Sequence, residues 1–124
     1  MIVDSSALLA ILKGEPDRDR ISEAILLSSS VAVSAPTLLE TAIVIEGRSD
    51  LDALLAEIEP QIVAFTAEQA SLAREAFRRF GKGKHPARLN FGDCISYALA
   101  KESGEPLLFK GDDFSKTDIE AAPY

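Results

Sequence analysis

The chain has 124 residues, 47% of them hydrophobic, and a formal net charge of −7. That length and apolar content suit one globular domain, spanning 1–124, with a sizeable core, and argue against disorder. One cysteine, Cys94, and one histidine, His85, exclude an internal disulfide and disfavour zinc; no run is apolar enough for a membrane span, and "MIVDSS" lacks a signal-peptide pattern, so a soluble, cytoplasmic protein is expected.

In chain order, "MIVD" reads as a short buried strand and "SSALLAILKG" as an apolar helix, stopped by Gly14 and Pro16. "DRDRISEAILLSSS" is an amphipathic helix and "VAVSA" a strand. Ser34 is the expected cap of the following helix, which has Pro36 in its first turn and carries Glu40. "SDLDALLAEIE" is a helix and "QIVAF" a strand. Thr66 and Gln69 make a capping-box pattern for "AEQASLAREAFRRF". "GKGKHPARLNFG" is a loop, broken by its glycines and Pro86. "DCISYALAKESG" is a helix ending at Gly104, "PLLF" a buried strand, and "KGDDFSKTDIEAAPY" a turn with an irregular tail. Alternating strands and helices predict an α/β sandwich with a mostly parallel central sheet. Strand order is not readable.

The charge is unevenly spread. Between Ala76 and Gly92 there is no acid, whereas Arg78, Arg79, Lys82, Lys84 and Arg88 all fall there. A basic segment of this kind on an acidic chain suits a polyanion such as RNA. Phe77, Phe80 and Phe91 offer base-stacking surfaces, but core or loop-anchoring packing is the first expectation for them. His85 is read as part of the basic loop, Cys94 as a small apolar residue, and Thr117 and Asp118 as residues that order the tail.

Functional crevices of open parallel sheets lie beyond the carboxyl ends of the strands. Asp4 ends the first strand, Glu40 follows "VAVSA", Asp93 opens a helix after the basic loop, and Asp112 and Asp113 follow "PLLF". Each has an ordinary alternative except one. Asp4 can cap the helix starting at Ser5, Asp93 can be the N3 acid after an Asn90 cap, and Gly-Asp-Asp is a common turn. No cap or turn accounts for Glu40; an ion pair could, but no cation is near it in sequence. It is the only charged residue between Glu23 and Glu46, inside an apolar stretch, where an uncompensated carboxylate is costly. Carboxylates brought together repel one another unless cations neutralise them. Their hard oxygens suit Mg²⁺ or Mn²⁺, and such ions support displacement at phosphorus without a histidine base.

Four blocks, "MIVDSSALLAIL", "APTLLETAIVIEGR", "GKGKHPARLNFGDCISYALAK" and "PLLFKGDDFSKTDI", resemble the VapC-type toxins of the PIN-domain nuclease family, in family order and along nearly the whole chain. The resemblance implies a PIN-like α/β/α sandwich and a Mg²⁺- or Mn²⁺-dependent endoribonuclease, the toxin of a toxin–antitoxin pair. It implies a cognate antitoxin that inhibits the enzyme, and a homodimer. It carries metal-site roles onto Asp4, Glu40 and Asp93, with Ser6 in support. The fourth acid is Asp113, immediately before Phe114, with Asp112 as its substitute. The competing reading is a non-catalytic module that binds RNA or a partner.

Overall fold

The computed structural model describes residues 1–124. Four short strands, β1 (Ile2–Val3), β2 (Ala32–Ser34), β3 (Gln61–Val63) and β4 (Leu107–Leu108), form one sheet in the order β3-β2-β1-β4. Every strand pair is parallel. Six helices surround it: α1 (Ser5–Leu12), α2 (Arg18–Leu27), α3 (Ala35–Val44), α4 (Asp50–Ile58), α5 (Ala67–Phe80) and α6 (Phe91–Ser103). A 3-10 turn at Phe114–Lys116 follows β4.

Successive residues of a strand face opposite sides, and here that alternation builds two cores. Ile2 and its partner Leu107 face α5 and α6, packing with Phe80, Tyr97 and Leu99. Val3 and its partner Leu108 face the other way, onto Leu8, Ile21 and Ile25 of α1 and α2. The expected sandwich with a central parallel sheet is therefore present. Its strands are shorter than their apolar runs: Asp4 has already left β1 to cap α1, and only Leu107 and Leu108 of "PLLF" pair.

Two expected caps differ in detail. Ser34 occupies the N-cap position of α3, but its side chain makes no cap bond, and its buried hydroxyl has no partner. Pro36, in the first turn, lacks one of the N–H groups that a capping side chain uses. At α5 the Thr66 side chain does accept from the Gln69 N–H, at 3.1 Å. The Gln69 side chain does not return the bond. It is buried and donates instead to the Ala64 carbonyl and to Glu102. A reciprocal capping box forms at α6, between Asn90 and Asp93.

The tail is irregular but anchored. Leu107 N–H donates to the Glu120 carbonyl and Ala122 N–H to the Leu107 carbonyl, both at the outer edge of β4. Asp118 accepts from Tyr97 Oη and Lys101 Nζ, at 2.8 and 3.0 Å, so it ties the tail to α6 as expected. No helix is long and apolar enough to cross a membrane. Because all strands point one way, the segments leaving β1, β2 and β4 emerge along the same edge of the sheet.

Candidate functional site

Asp4 is the best-held acid at that edge. It is 3% exposed and accepts three hydrogen bonds from neutral donors. Ser6 N–H and Ser6 Oγ reach Oδ2 at 3.0 and 2.6 Å, and Ser96 Oγ reaches Oδ1 at 2.6 Å. Ser6 Oγ in turn accepts from the Lys110 N–H at 3.0 Å, which links the exit of β4 to the exit of β1. Asp4 thus caps α1 and fixes a buried carboxylate at the same time. The cap does not compete with a site role.

Asp93 is also doubly placed. Its Oδ2 accepts from the Asn90 N–H at 3.0 Å, while its own N–H donates to Asn90 Oδ1 at 2.9 Å. Its carboxyl is pushed up to about 7, first by burial, against the opposing pull of the Asn90 hydrogen bond. The charges of Asp4, Asp113 and Glu40 push it further the same way. Asp93 thus feels the charge of three acids distant from it in sequence. Asp113 is among the charges that act on Asp93. Asp112 and Asp113 are both exposed, and the Asp112 carbonyl accepts from Ser115 Oγ, an ordinary turn contact.

Glu40 projects from α3 onto the first turn of α6. An ideal Cβ built on Gly92 would lie 2.0 Å from Glu40 Oε2 and 2.8 Å from Oε1. Glu40 makes no salt bridge, and neither do Asp4, Asp93 or Asp113. The nearby lysine is engaged elsewhere, since Lys110 Nζ pairs with Glu15 and with Asp17. The ion pair that would have made Glu40 structural does not exist. The side chains do not close into a ready-made cage, for no group of three or more His, Cys, Asp or Glu is disposed to enclose an ion.

Ser96 escaped the sequence reading. A serine in the middle of α6 looks unremarkable, yet it lies one turn after Asp93 and is 1% exposed. That spacing on one helix face was the available signal. Its Oγ also lies 3.4 Å from Thr37 Oγ1, so α3, α6 and β1 meet at this hydroxyl.

The five expected RNA-binding cations divide into two sets. Arg78 pairs with Glu75, and Arg79 pairs with Asp118 at 3.5 Å while lying over the Phe80 ring. Lys82, Lys84 and Arg88 make no salt bridge and line a shallow depression with Gly83, His85 and Pro86. The loop carrying them is pinned at its base, where Lys82 N–H donates to the Leu89 carbonyl and Leu89 N–H to the Phe80 carbonyl. His85 serves this loop: Nδ1 accepts from the Ala87 N–H, and the ring stands edge-on to Phe80. Phe80 is core, Phe77 is partly covered beneath Lys84, and Phe91 is 84% exposed. Phe77, 39% exposed, meets the packing expectation only in part, and Phe91 departs from it. A cleft of about 780 Å³ between α5 and α6 is lined by Phe65, Phe77, Phe91 and Ile95, among others, but by none of the four acids.

A family model described as PIN domain matches residues 1–120. A protein named Ribonuclease VapC, from Mycolicibacterium smegmatis, is 50% identical over 98% of this chain and 98% of its own. Among solved structures, VapC20 of Mycobacterium tuberculosis, described as a sarcin–ricin loop cleaving toxin, superposes with a TM-score of 0.75 at 22% identity, covering 98% of each chain. A toxin–antitoxin complex from Klebsiella pneumoniae gives a TM-score of 0.75 at 18% identity, over 99% of this chain and 97% of that one. The four sequence blocks, the parallel sheet and the acids at its edge thus converge on one assignment: the chain belongs to the PIN-domain family, among the VapC ribonucleases.

Proposed function

We propose that this protein is a divalent-metal-dependent endoribonuclease, the toxin of a toxin–antitoxin pair, with Asp4, Glu40, Asp93 and Asp113 as its metal-binding and catalytic acids. The observation that carries the reading is the uncompensated cluster: burial first, and then the charges of Asp4, Asp113 and Glu40, raise Asp93, and no cation pairs with any of the four. The donor set fits Mg²⁺ or Mn²⁺. It is all oxygen, and Mg²⁺ commonly takes only one or two carboxylates and keeps several waters, so a closed cage is not required. What such an ion supplies when bound is charge neutralisation and activation of water for in-line attack at phosphorus.

The chain's own residues do the positioning. Ser6 and Ser96 fix both oxygens of Asp4, and Asn90 orients Asp93. Asp113, whose charge reaches Asp93, is the first choice for the fourth acid, with Asp112 as its substitute. Lys82, Lys84 and Arg88 have no acidic partner, so they are available for RNA phosphates; Arg78 and Arg79, already paired, contribute less.

The antitoxin belongs to the same reading. An acidic cluster without internal cations suits inhibition by a protein that inserts a basic side chain, arginine above all, because its planar fork binds two carboxylate oxygens. The homodimer would use α3, where Leu39, Ile43 and Val44 are 63, 66 and 45% exposed, beside exposed Phe91.

The test is cleavage of labelled RNA by purified protein, with EDTA and with Mg²⁺ or Mn²⁺, for the parent and for Asp93→Asn. Metal-restored cleavage that Asp93→Asn lowers at least about a hundredfold is expected. RNA binding with no metal-dependent cleavage would replace the enzyme with the binding module.

A further inference from the structure

We propose that Gly92 is a positioning residue for Glu40: the bare α carbon of Gly92 is the seat that lets the Glu40 carboxylate rest on the first turn of α6. The inference builds on the proposed metal site and names the feature that brings its α3 acid within reach of Asp93.

Gly92 is buried in the first turn of α6, a helical position that alanine would ordinarily fill more favourably. Its backbone does not demand glycine. Five of the chain's seven glycines have positive φ, and Gly92 is not one of them. Gly81 is fixed differently, because a Cβ there would strike the Phe77 backbone carbonyl at 2.3 Å. At Gly92 all three of the nearest atoms belong to one side chain, with Glu40 Oε2 at 2.0 Å, Cδ at 2.7 Å and Oε1 at 2.8 Å. What excludes a side chain at position 92 is therefore the Glu40 carboxylate itself. The carboxylate also gains from the seat, since the start of a helix favours negative charge.

The nature of the obstructing atoms sets the outcome of a substitution. A carboxylate at the end of a flexible side chain can swing aside without moving the backbone, whereas a carbonyl cannot. Gly92→Ala should therefore fold, with Glu40 displaced. The damage should fall on whatever Glu40 helps to hold.

The experiment measures Mn²⁺ binding by calorimetry and melting in EDTA for the parent, Gly92→Ala, Glu40→Ala and the double variant. Gly92→Ala is expected to weaken Mn²⁺ binding about tenfold in the parent background and to change it little once Glu40 is gone. In EDTA, the added helix propensity should raise the melting temperature more in the Glu40→Ala background, where nothing obstructs the new methyl, than in the parent. Equal effects of Gly92→Ala in both backgrounds, in binding or in melting, would overturn the proposal, as would undiminished Mn²⁺ affinity in Gly92→Ala itself. Should the parent bind no Mn²⁺, the metal reading fails, and the EDTA melting comparison still decides whether Gly92 seats Glu40. Should Gly92→Ala not fold, folding of the double variant supports the seat, and failure of both rejects it.

Discussion

Asp93 closes a capping box with one oxygen while its carboxyl feels three other acids, and this has a consequence for stability against pH. Its folded-state value is about 7 against an ordinary 3.8. Between those values the folded chain keeps a proton that the unfolded chain has released, so metal-free stability should fall as pH rises from about 4 to about 7. Melting in EDTA across that range should show the decline in the parent and lose most of it in Asp93→Asn. With Mn²⁺ present the trend should reverse, because the ion needs the deprotonated carboxylate. Ser96 gives a second outcome at this scale. Ser96→Ala strips a 2.6 Å hydrogen bond from a buried carboxylate and should cost about 2 kcal/mol in urea unfolding; an unchanged midpoint would show that Asp4 does not depend on it. The residues differ in how plainly the sequence announces them. Glu40 stood out because it is alone among apolar neighbours, and Asp4 and Asp93 because they sit at element boundaries. Ser96 and Gly92 did not, since their importance lies in contacts from α3 and β1 that no local pattern encodes.

At the level of elements, hydrophobic period and punctuation located every helix and strand, but hydrogen-bond partners were less accessible. Ser34 and Gln69 have the right identities and spacing for caps, yet Pro36 removes a bonding target from the first, and burial against Glu102 redirects the second. Tertiary contact overrode a local rule in each case. The basic loop was legible as a cluster, but the division of its cations was not, because Glu75 and Asp118 claim Arg78 and Arg79 across helical turns and from the tail. That division makes a prediction. Replacing Lys82, Lys84 and Arg88 with alanine should weaken RNA binding and flatten the slope of log affinity against log salt by about 2, at roughly 0.7 per phosphate contact on a single strand. Mn²⁺ affinity should stay near that of the parent. A salt series with an unaltered slope would remove the loop from the RNA path.

For the molecule as a whole, strand order was invisible in the sequence because parallel crossovers leave no trace in hydrophobic period; β1 turns out to be interior, between β2 and β4. The exposed α3 face carries the expectation of a dimer. Ile43→Glu should yield a monomer by sedimentation while leaving melting in EDTA nearly unchanged, since Ile43 is 66% exposed in the single chain. A parent that already sediments as a monomer would discard that interface.

The pairing of β1 with β4 also sets the order in which the candidate site can be assembled. Asp4 N–H donates to the Leu108 carbonyl, and Ser6 Oγ is held by the Lys110 N–H, so the first acid is locked by residues from the far end of the chain. The last acid, Asp113, lies only a few residues further on. During synthesis β1 must wait, unpaired on that side, until β4 has been made and has left the ribosome. A ribosome-bound fragment ending before Leu107 should then cleave no RNA when assayed with Mn²⁺, whereas the released chain should. Cleavage should therefore begin only after β4 is free to pair with β1.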